Sequence, residues 1–425
     1  MHPTALLEAQ TELVHRVLRF EHPADRVVAD FFRDQRALGA RDRHLLADGA
    51  FLLLRKLPLW RHLASSANGG RGEIERRLAL LVWQGNAGVL NAALDERERG
   101  WLARCRAFDL GALPERLRHN LPDWLAVPLQ ARLGDEFWDW VEAVDRPAPL
   151  DLRVNALKAE REAVLERLRG AGFDAVATPY SPLGIRVEGK PSLHKLALSS
   201  EGWIEVQDEG SQLLALLTGA KRGEMVVDFC AGAGGKTLAL GAQMRNTGRL
   251  YAFDVSGHRL AALKPRLARS SLSNVYPVQI AHERDERVKR LAGKVDRVLV
   301  DAPCTGLGTL RRNPDLKWRQ TPEALAALGE QQRAILAAAA RLLKPGGRLV
   351  YATCSPLLEE DEEVAAAFDA SETGRAFRRL PVLELLQRAQ VADPASLVSG
   401  PELRLWTHRH GSDGFFAAAW ERRAS

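Results

Sequence analysis

The sequence predicts an α/β protein. Its larger part reads as a doubly wound, mostly parallel sheet of Rossmann-like type, preceded by a small α+β domain and an all-helical domain. Three patterns predict this. From about residue 208 hydrophobic strand-like runs alternate with helical periodicity, which implies parallel strands joined by right-handed crossovers. Between residues 146 and 207 a compact βαββαβ order stands by itself. Before that, apolar residues recur at helical spacing and strand-like alternation is missing.

Taken in order, Leu6, Leu7, Leu13, Val17 and Leu18 repeat at helical intervals, as do Leu45, Leu46, Phe51, Leu52 and Leu54. The small-residue run from Ser65 to Gly70 breaks the helices, and Pro122 opens a Trp-rich helix carrying Trp124, Phe137, Trp138 and Trp140. Arg71, Arg76 and Arg77 read first as solvated helix faces. Pro147-Ala148-Pro149 reads as a hinge, placing the helical domain at 1–145. A strand follows at Asp151–Asn155, a helix at 159–171, and strands at 174–179 and Gly184–Glu188. Pro191 opens a short helix, and Trp203–Val206 closes a ferredoxin-like or RNA-recognition-like domain spanning 146–207. In the third domain, 208–425, strands are predicted at 225–230, 249–254, 275–280, 296–301, 348–353 and 414–420. Helices are predicted at 236–245, 257–270, 322–343 and 359–370.

A chain of 425 residues exceeds one ordinary core, which agrees with several domains. Its 46% hydrophobic and 27% charged residues suit a soluble globular protein. The net charge of +6 fits a polyanionic partner without requiring one. The start of the chain mixes apolar with charged residues, so no secretory signal is expected, and no run approaches membrane-spanning length. The four cysteines, at 105, 230, 304 and 354, are too scattered for a disulfide framework or a metal site. A cytoplasmic protein with free thiols, no metal and no membrane contact is expected, as a monomer.

Met225 to Thr237 reads as a buried strand, a glycine-rich turn and a helix start. Glycines at 232, 234 and 235 allow close backbone approach, and the following helix offers free N–H groups to an anion. The GxGG spacing is neither GxGxxG nor a P-loop. About 20 residues on, Asp254 ends a strand where a carboxylate would accept from ribose hydroxyls. A glycine turn alone would be structural. Together the two point to a ribose-containing cofactor, leaving S-adenosylmethionine and NAD both open.

Asp301-Ala-Pro-Cys-Thr-Gly306 and Tyr351-Ala-Thr-Cys-Ser-Pro356 each follow a hydrophobic strand. Carboxyl ends of strands line the ligand crevice of an open α/β sheet, so both Cys304 and Cys354 point to the cofactor loop. A lone cysteine is usually a small buried hydrophobe. Two at matching strand ends, flanked by proline and hydroxyl residues, suggest nucleophilic chemistry. Attack of a thiolate on carbon 6 of cytosine makes carbon 5 an enamine carbon able to take a methyl group. Asp301 is the candidate acid at the ring nitrogen. Spacing leaves open which thiol attacks. Cys105 reads as structural, and Cys230, at the mouth of the glycine loop, as packing around the cofactor.

These residues resemble the Sun (Fmu) family of RNA cytosine-5 methyltransferases. The resemblance rests on Val295-Asp-Arg-Val-Leu-Val-Asp-Ala-Pro-Cys-Thr-Gly306, Arg153-Val-Asn-Ala-Leu-Lys158 and Gln207-Asp-Glu-Gly-Ser-Gln212. The glycine loop, Arg311-Arg-Asn-Pro-Asp-Leu-Lys-Trp318, Thr353-Cys-Ser355 and Asp413-Gly-Phe-Phe416 add to it. It covers roughly residues 120 to 422, and the helical region is similar to a NusB-like RNA-binding domain. The resemblance implies a class I methyltransferase fold acting on RNA, with small-subunit ribosomal RNA favoured. It implies Cys354 as nucleophile and Cys304 as the residue that promotes breakdown of the covalent adduct. It places Cys230, Ala231, Gly232, Ala233, Gly234, Gly235, Lys236 and Asp254 on S-adenosylmethionine, with Asp301 near cofactor and base. It offers Arg311, Arg312 and Lys317 as phosphate or base contacts, against a plain surface basic loop. Ala233 departs from the family's proline. His282 stands where the family has an aspartate, and the adenine-side contact is left unassigned.

Rival readings are the same chemistry on transfer RNA or DNA, a non-catalytic RNA-binding protein, and a NAD oxidoreductase. The last leaves both strand-end thiols without a role.

Overall fold

A computed structural model describes residues 1–66, 73–86, 88, 92–189, 191 and 197–424. The expected break at Gly69-Gly70 and Arg71 lie outside the described residues. The chain forms two compact units: residues 1–146 with 309–321, and residues 147–308 with 322–425. The small α+β region and the large sheet share one unit, and thirteen residues after the Cys304 loop join the helical one.

In the helical unit, helix Pro3–Val17 buries Leu6, Leu7, Gln10, Leu13, Val14 and Val17, one stripe at helical period. Gln10 lies in that stripe because its Oε1 accepts from the buried Trp83 indole at 3.0 Å. Helix Glu96–Arg106 begins with a capping box of Asp95 and Glu98. The expected single Trp-rich helix is two, Asp123–Leu133 and Phe137–Asp145, because Gly134 takes φ +54° between them. Arg76 and Arg77 are tied down: Arg76 pairs with Glu98 at 2.8 Å and Arg77 donates to the Ala64 carbonyl.

Segment 309–321 belongs to this unit by its bonds. Asp315 caps helix Ala24–Asp34 by accepting from the Ala24 N–H at 3.1 Å. Arg55 donates to the carbonyls of Leu310 and Arg311, and the Trp318 indole donates to Leu54. Lys317, 2% exposed, donates to the Arg55 carbonyl at 2.7 Å and faces Asp145 at 3.7 Å.

The second unit opens with strands β1 (Leu150–Val154), β2 (Ala175–Ala177), β3 (Gly184–Val187) and β4 (Ile204–Val206), paired antiparallel in the order β2-β3-β1-β4. Helix Arg161–Gly170 lays Val164, Leu165 and Leu168 on this sheet. The helix expected from Pro191 runs into residues outside the description, and the described helix is Ala197–Ser200.

The large sheet holds β5 (Met225–Asp228), β6 (Arg249–Asp254), β7 (Val275–Gln279), β8 (Val295–Asp301), β9 (Leu343–Thr353), β10 (Phe377–Leu380), β11 (Val398–Ser399), β12 (Glu402–Leu405) and β13 (Phe415–Arg422). Its order is β11-β12-β13-β9-β8-β5-β6-β7, with β10 also on β13. β5 to β9 run parallel and β13 antiparallel to β9. Alternate residues build two cores: Val226, Leu299, Val350 and Ala417 on one face, Val227, Val298, Leu349 and Phe416 on the other. That two-sided burial explains the continuous hydrophobic runs. The strand order reverses between β5 and β8, which opens a crevice beyond their carboxyl ends. Strands β10 to β12 were not expected. Arg378, Arg379 and Arg404 interrupt their apolar pattern.

Candidate active site

The crevice is a cavity of about 680 Å³ in the second unit. That size suits a nucleoside-sized ligand. It gathers Cys230, Ala231, Gly232, Ala233, Gly235, Lys236, Asp254, Asp301, Cys304 and Cys354. Gly234 turns the loop beneath it. Its φ is +86°, and a Cβ there would lie 2.1 Å from Leu263 Cδ1, so no larger residue fits.

The loop runs from the end of β5 into helix Gly235–Gln243, whose first N–H groups are free for an anion. Asp254, at the end of β6, accepts from the N–H groups of Gly232 (2.8 Å) and Ser256 (2.7 Å), and its carboxylate edge lines the cavity. Below the loop Asp228 is fully buried and accepts from the Thr237 hydroxyl at 2.6 Å. Its other oxygen finds no donor, and burial pushes its pKa to about 7. Ile280, His282 and the half-buried Glu283 close the far wall, Glu283 being a carboxylate beside the position where sequence offered only His282.

At the opposite end, Lys236 Nζ lies 2.7 Å from Asp301 Oδ2. Burial alone would lower the lysine pKa; Asp301 reverses that and holds it raised. The sulfurs of Cys304 and Cys354 stand 3.4 Å apart. The hydrogen bond to Cys354, together with burial, raises the Cys304 pKa well above the usual thiol range. A thiol so shifted favours its protonated form. Burial likewise raises Cys230, and Cys105 lies in the helical core. Neither is a nucleophile in waiting.

Several residues that hold the thiols were not anticipated. Buried Glu360 accepts from the Thr305 N–H (2.7 Å), the Thr305 hydroxyl (2.5 Å) and Gln332, fixing the Cys304 turn. Asp361 joins the Thr353 hydroxyl to Arg404, and Arg404 also donates to the Ser355 carbonyl, fixing the Cys354 turn. The two turns are laced together by Gly308, whose N–H donates to the Cys354 carbonyl and whose own carbonyl accepts from Gly414. A Cβ at Gly308 would lie 2.2 Å from the Gly414 oxygen. Gly414 lies in a motif already singled out; Glu360 and Asp361 sit in an acidic run that reads as a solvated helix start.

Arg311, Arg312 and Lys317 are not gathered here. They fold within the helical unit, where Lys317 and Arg311 are 2% and 7% exposed. Lys317, expected as a phosphate or base contact, is bonded inside that unit. Its ammonium is spent on Asp145 and a carbonyl, and burial lowers its pKa to about 8. Among the described residues no cluster of His, Cys, Asp and Glu could hold a metal, and no helix is long and apolar enough to cross a membrane.

Residues 215–421 match the model of the 16S rRNA methyltransferase RsmB/F family, and residues 121–194 match the ferredoxin-like domain described for RsmF/B-like methyltransferases. The chain is 33% identical over 360 residues to ribosomal RNA small subunit methyltransferase B of Sodalis glossinidius, covering 79% of this chain and 82% of that one. It is 31% identical to a probable ribosomal RNA small subunit methyltransferase B of Synechocystis, across 96% and 89%. The solved structure of PH0851 superposes with a TM-score of 0.79 at 26% identity, covering 99% of each chain.

Proposed function

We propose, from the premise that this chain belongs to the RsmB/F family of 16S rRNA methyltransferases, that it methylates carbon 5 of a cytosine in small-subunit ribosomal RNA through a covalent Cys354 adduct. The observation that carries this reading is the pair of sulfurs 3.4 Å apart lining the cofactor cavity.

S-adenosylmethionine supplies an electrophilic methyl group. The loop from Cys230 to Lys236 would hold its anionic end and Asp254 would accept from its ribose hydroxyls, with Ile280 offering an apolar wall in the same cavity. The cytosine must leave its stack to enter. Cys354, with the Cys304 thiol donating to it and the Lys236 ammonium near it, adds to carbon 6 as the thiolate. The Lys236–Asp301 pair carries the proton that ring nitrogen 3 takes up as charge develops there. Carbon 5 gains the methyl group and loses its proton to a base. The bond from Cys354 to carbon 6 then breaks, assisted by Cys304, its electron pair returning to sulfur while nitrogen 3 gives back the proton it took up.

The test is incubation of the protein with labelled S-adenosylmethionine and small-subunit ribosomal RNA, transfer RNA and DNA, followed by nucleoside analysis. Label should appear as 5-methylcytosine in the ribosomal RNA. Cys354→Ala should abolish it, and undiminished transfer by that variant would sink the mechanism.

A further inference from the structure

Two arginines outside the catalytic cluster bind carbonyls of the glycine loop, and one of them, Arg266, also lines the cavity. Arg153, on β1 and 4% exposed, donates from Nη1 to the Gly235 carbonyl at 2.7 Å and to the side-chain oxygen of Gln207. Arg266, on helix Gly257–Ser270, donates to the Ala233 carbonyl at 2.6 Å. Its remaining nitrogens hold Glu205 of β4 at 2.9 Å. Glu205 is the cross-strand partner of Arg153. β1 thus reaches the Gly235 carbonyl through Arg153, and β4 braces, through Glu205, the arginine that holds the Ala233 carbonyl.

A loop that aims N–H groups at a ligand turns its carbonyls the other way; the half-buried Gly235 carbonyl needs a donor, and the exposed Ala233 carbonyl is fixed in direction by one. Guanidinium groups supply several donors in one rigid plane, so they fix the direction of each carbonyl as well as satisfying it. Packing alone would not call for Arg153. Both of its acceptors are neutral, Arg266 and the positive end of helix Gly235–Gln243 stand near it, and the Glu205 carboxylate offsets its burial only in part. Burial pulls its pKa down to about 10, the mark of a cation held at a cost in that position. An anion bound at the helix end offsets that cost, and the amino-acid carboxylate of the methyl donor is such an anion.

We propose that Arg153 and the Arg266–Glu205 pair are positioning residues for the cofactor: they set the Ala233–Gly235 turn, making the small sheet part of the S-adenosylmethionine site. The inference rests on the methyltransferase family and is independent of which base or carbon receives the methyl group.

The full-length protein and its variants Arg153→Gln, Arg153→Lys and Arg266→Gln are titrated with S-adenosylhomocysteine by calorimetry, and methyl transfer is followed against donor concentration. Arg153→Gln should weaken S-adenosylhomocysteine at least 10-fold. It should raise KM for S-adenosylmethionine in step while kcat at saturating donor stays within about 3-fold, the pattern of lost ground-state binding. Arg153→Lys should recover part of the affinity, since one ammonium can still reach the Gly235 carbonyl. Where Arg153→Gln does not fold, Arg266→Gln carries the test, because that side chain is 21% exposed and its loss leaves the sheet intact. Unchanged affinity in the folded glutamine variants, or a fall in kcat with KM unmoved, would overturn the proposal.

Discussion

The sulfur of Cys304 lies 3.4 Å from that of Cys354, although 50 residues separate them. Each sits on the first turn beyond a parallel strand, β8 and β9, and these strands are neighbours in the sheet. Two thiols so close cannot both ionise, because the first negative charge opposes the second. The bond between them, together with burial, raises the Cys304 pKa well above the usual thiol range.

Unequal thiols should give unequal variants. Cys354→Ala removes the nucleophile and should yield neither product nor adduct. Cys304→Ala leaves the nucleophile but removes its hydrogen-bond donor and the residue assigned to adduct breakdown. A covalent protein–RNA complex resistant to denaturant should then accumulate on gels. If Cys304→Ala turns over normally with no such complex, the division of labour is wrong.

Glu360 should matter beyond its distance from the chemistry. Its carboxylate accepts from the Thr305 N–H and hydroxyl and from Gln332, and it is fully buried. Glu360→Gln puts a donor where at least one donor already points. The variant should lose about 1–3 kcal/mol of stability, the cost of an unsatisfied buried group. Single-turnover methylation should slow at least 10-fold as the Cys304 turn loosens, while S-adenosylhomocysteine affinity holds. Equal losses in affinity and rate would mean general unfolding rather than loosening of that turn.

The parts of the site legible in sequence are those where chemistry follows a strong hydrophobic strand. The glycine loop, Asp254, Cys304 and Cys354 all end such strands, and the cavity gathers them. What escaped is what depends on long-range pairing. Glu360 and Asp361 look solvated in their acidic run, yet a backbone break at Asp361 (φ −115°, ψ −96°) separates the Leu358–Glu360 turn from helix Glu362–Ala370, and both carboxylates are buried. Lys317 follows the catalytic loop closely in sequence but folds into the helical unit. Strands β10 to β12 carry arginines whose partners, such as Glu421 for Arg378 and Asp361 for Arg404, lie far along the chain.

Asp228 should impose a pH dependence on stability. Its folded pKa is raised to about 7 from an ordinary value near 3.8. Between those values the native state holds a proton that the unfolded chain has released, so stability falls as pH rises. The contribution is fully present below about pH 4 and lost by pH 7 to 8, a change of up to roughly 4 kcal/mol. Asp228→Asn keeps an oxygen for the Thr237 hydroxyl and cannot ionise. Denaturant unfolding from pH 5 to 8 should show a flatter profile for the variant, and parallel profiles would refute the assignment.

Lys317 separates a structural from an RNA-binding role. Replacing it with Met removes the donor to the Arg55 carbonyl and leaves Asp145, 13% exposed, without its ammonium. Breaking one side of a buried pair costs roughly 3–5 kcal/mol, and the partial exposure of Asp145 puts this case at the low end. The variant should therefore unfold at lower denaturant. A surface lysine on a phosphate would behave otherwise: its loss would leave stability nearly unchanged and lower the slope of log affinity against log salt by about 1. Measuring both on one preparation decides between the roles. A folded Lys317→Met protein with wild-type stability and a reduced salt slope would return this residue to the RNA surface.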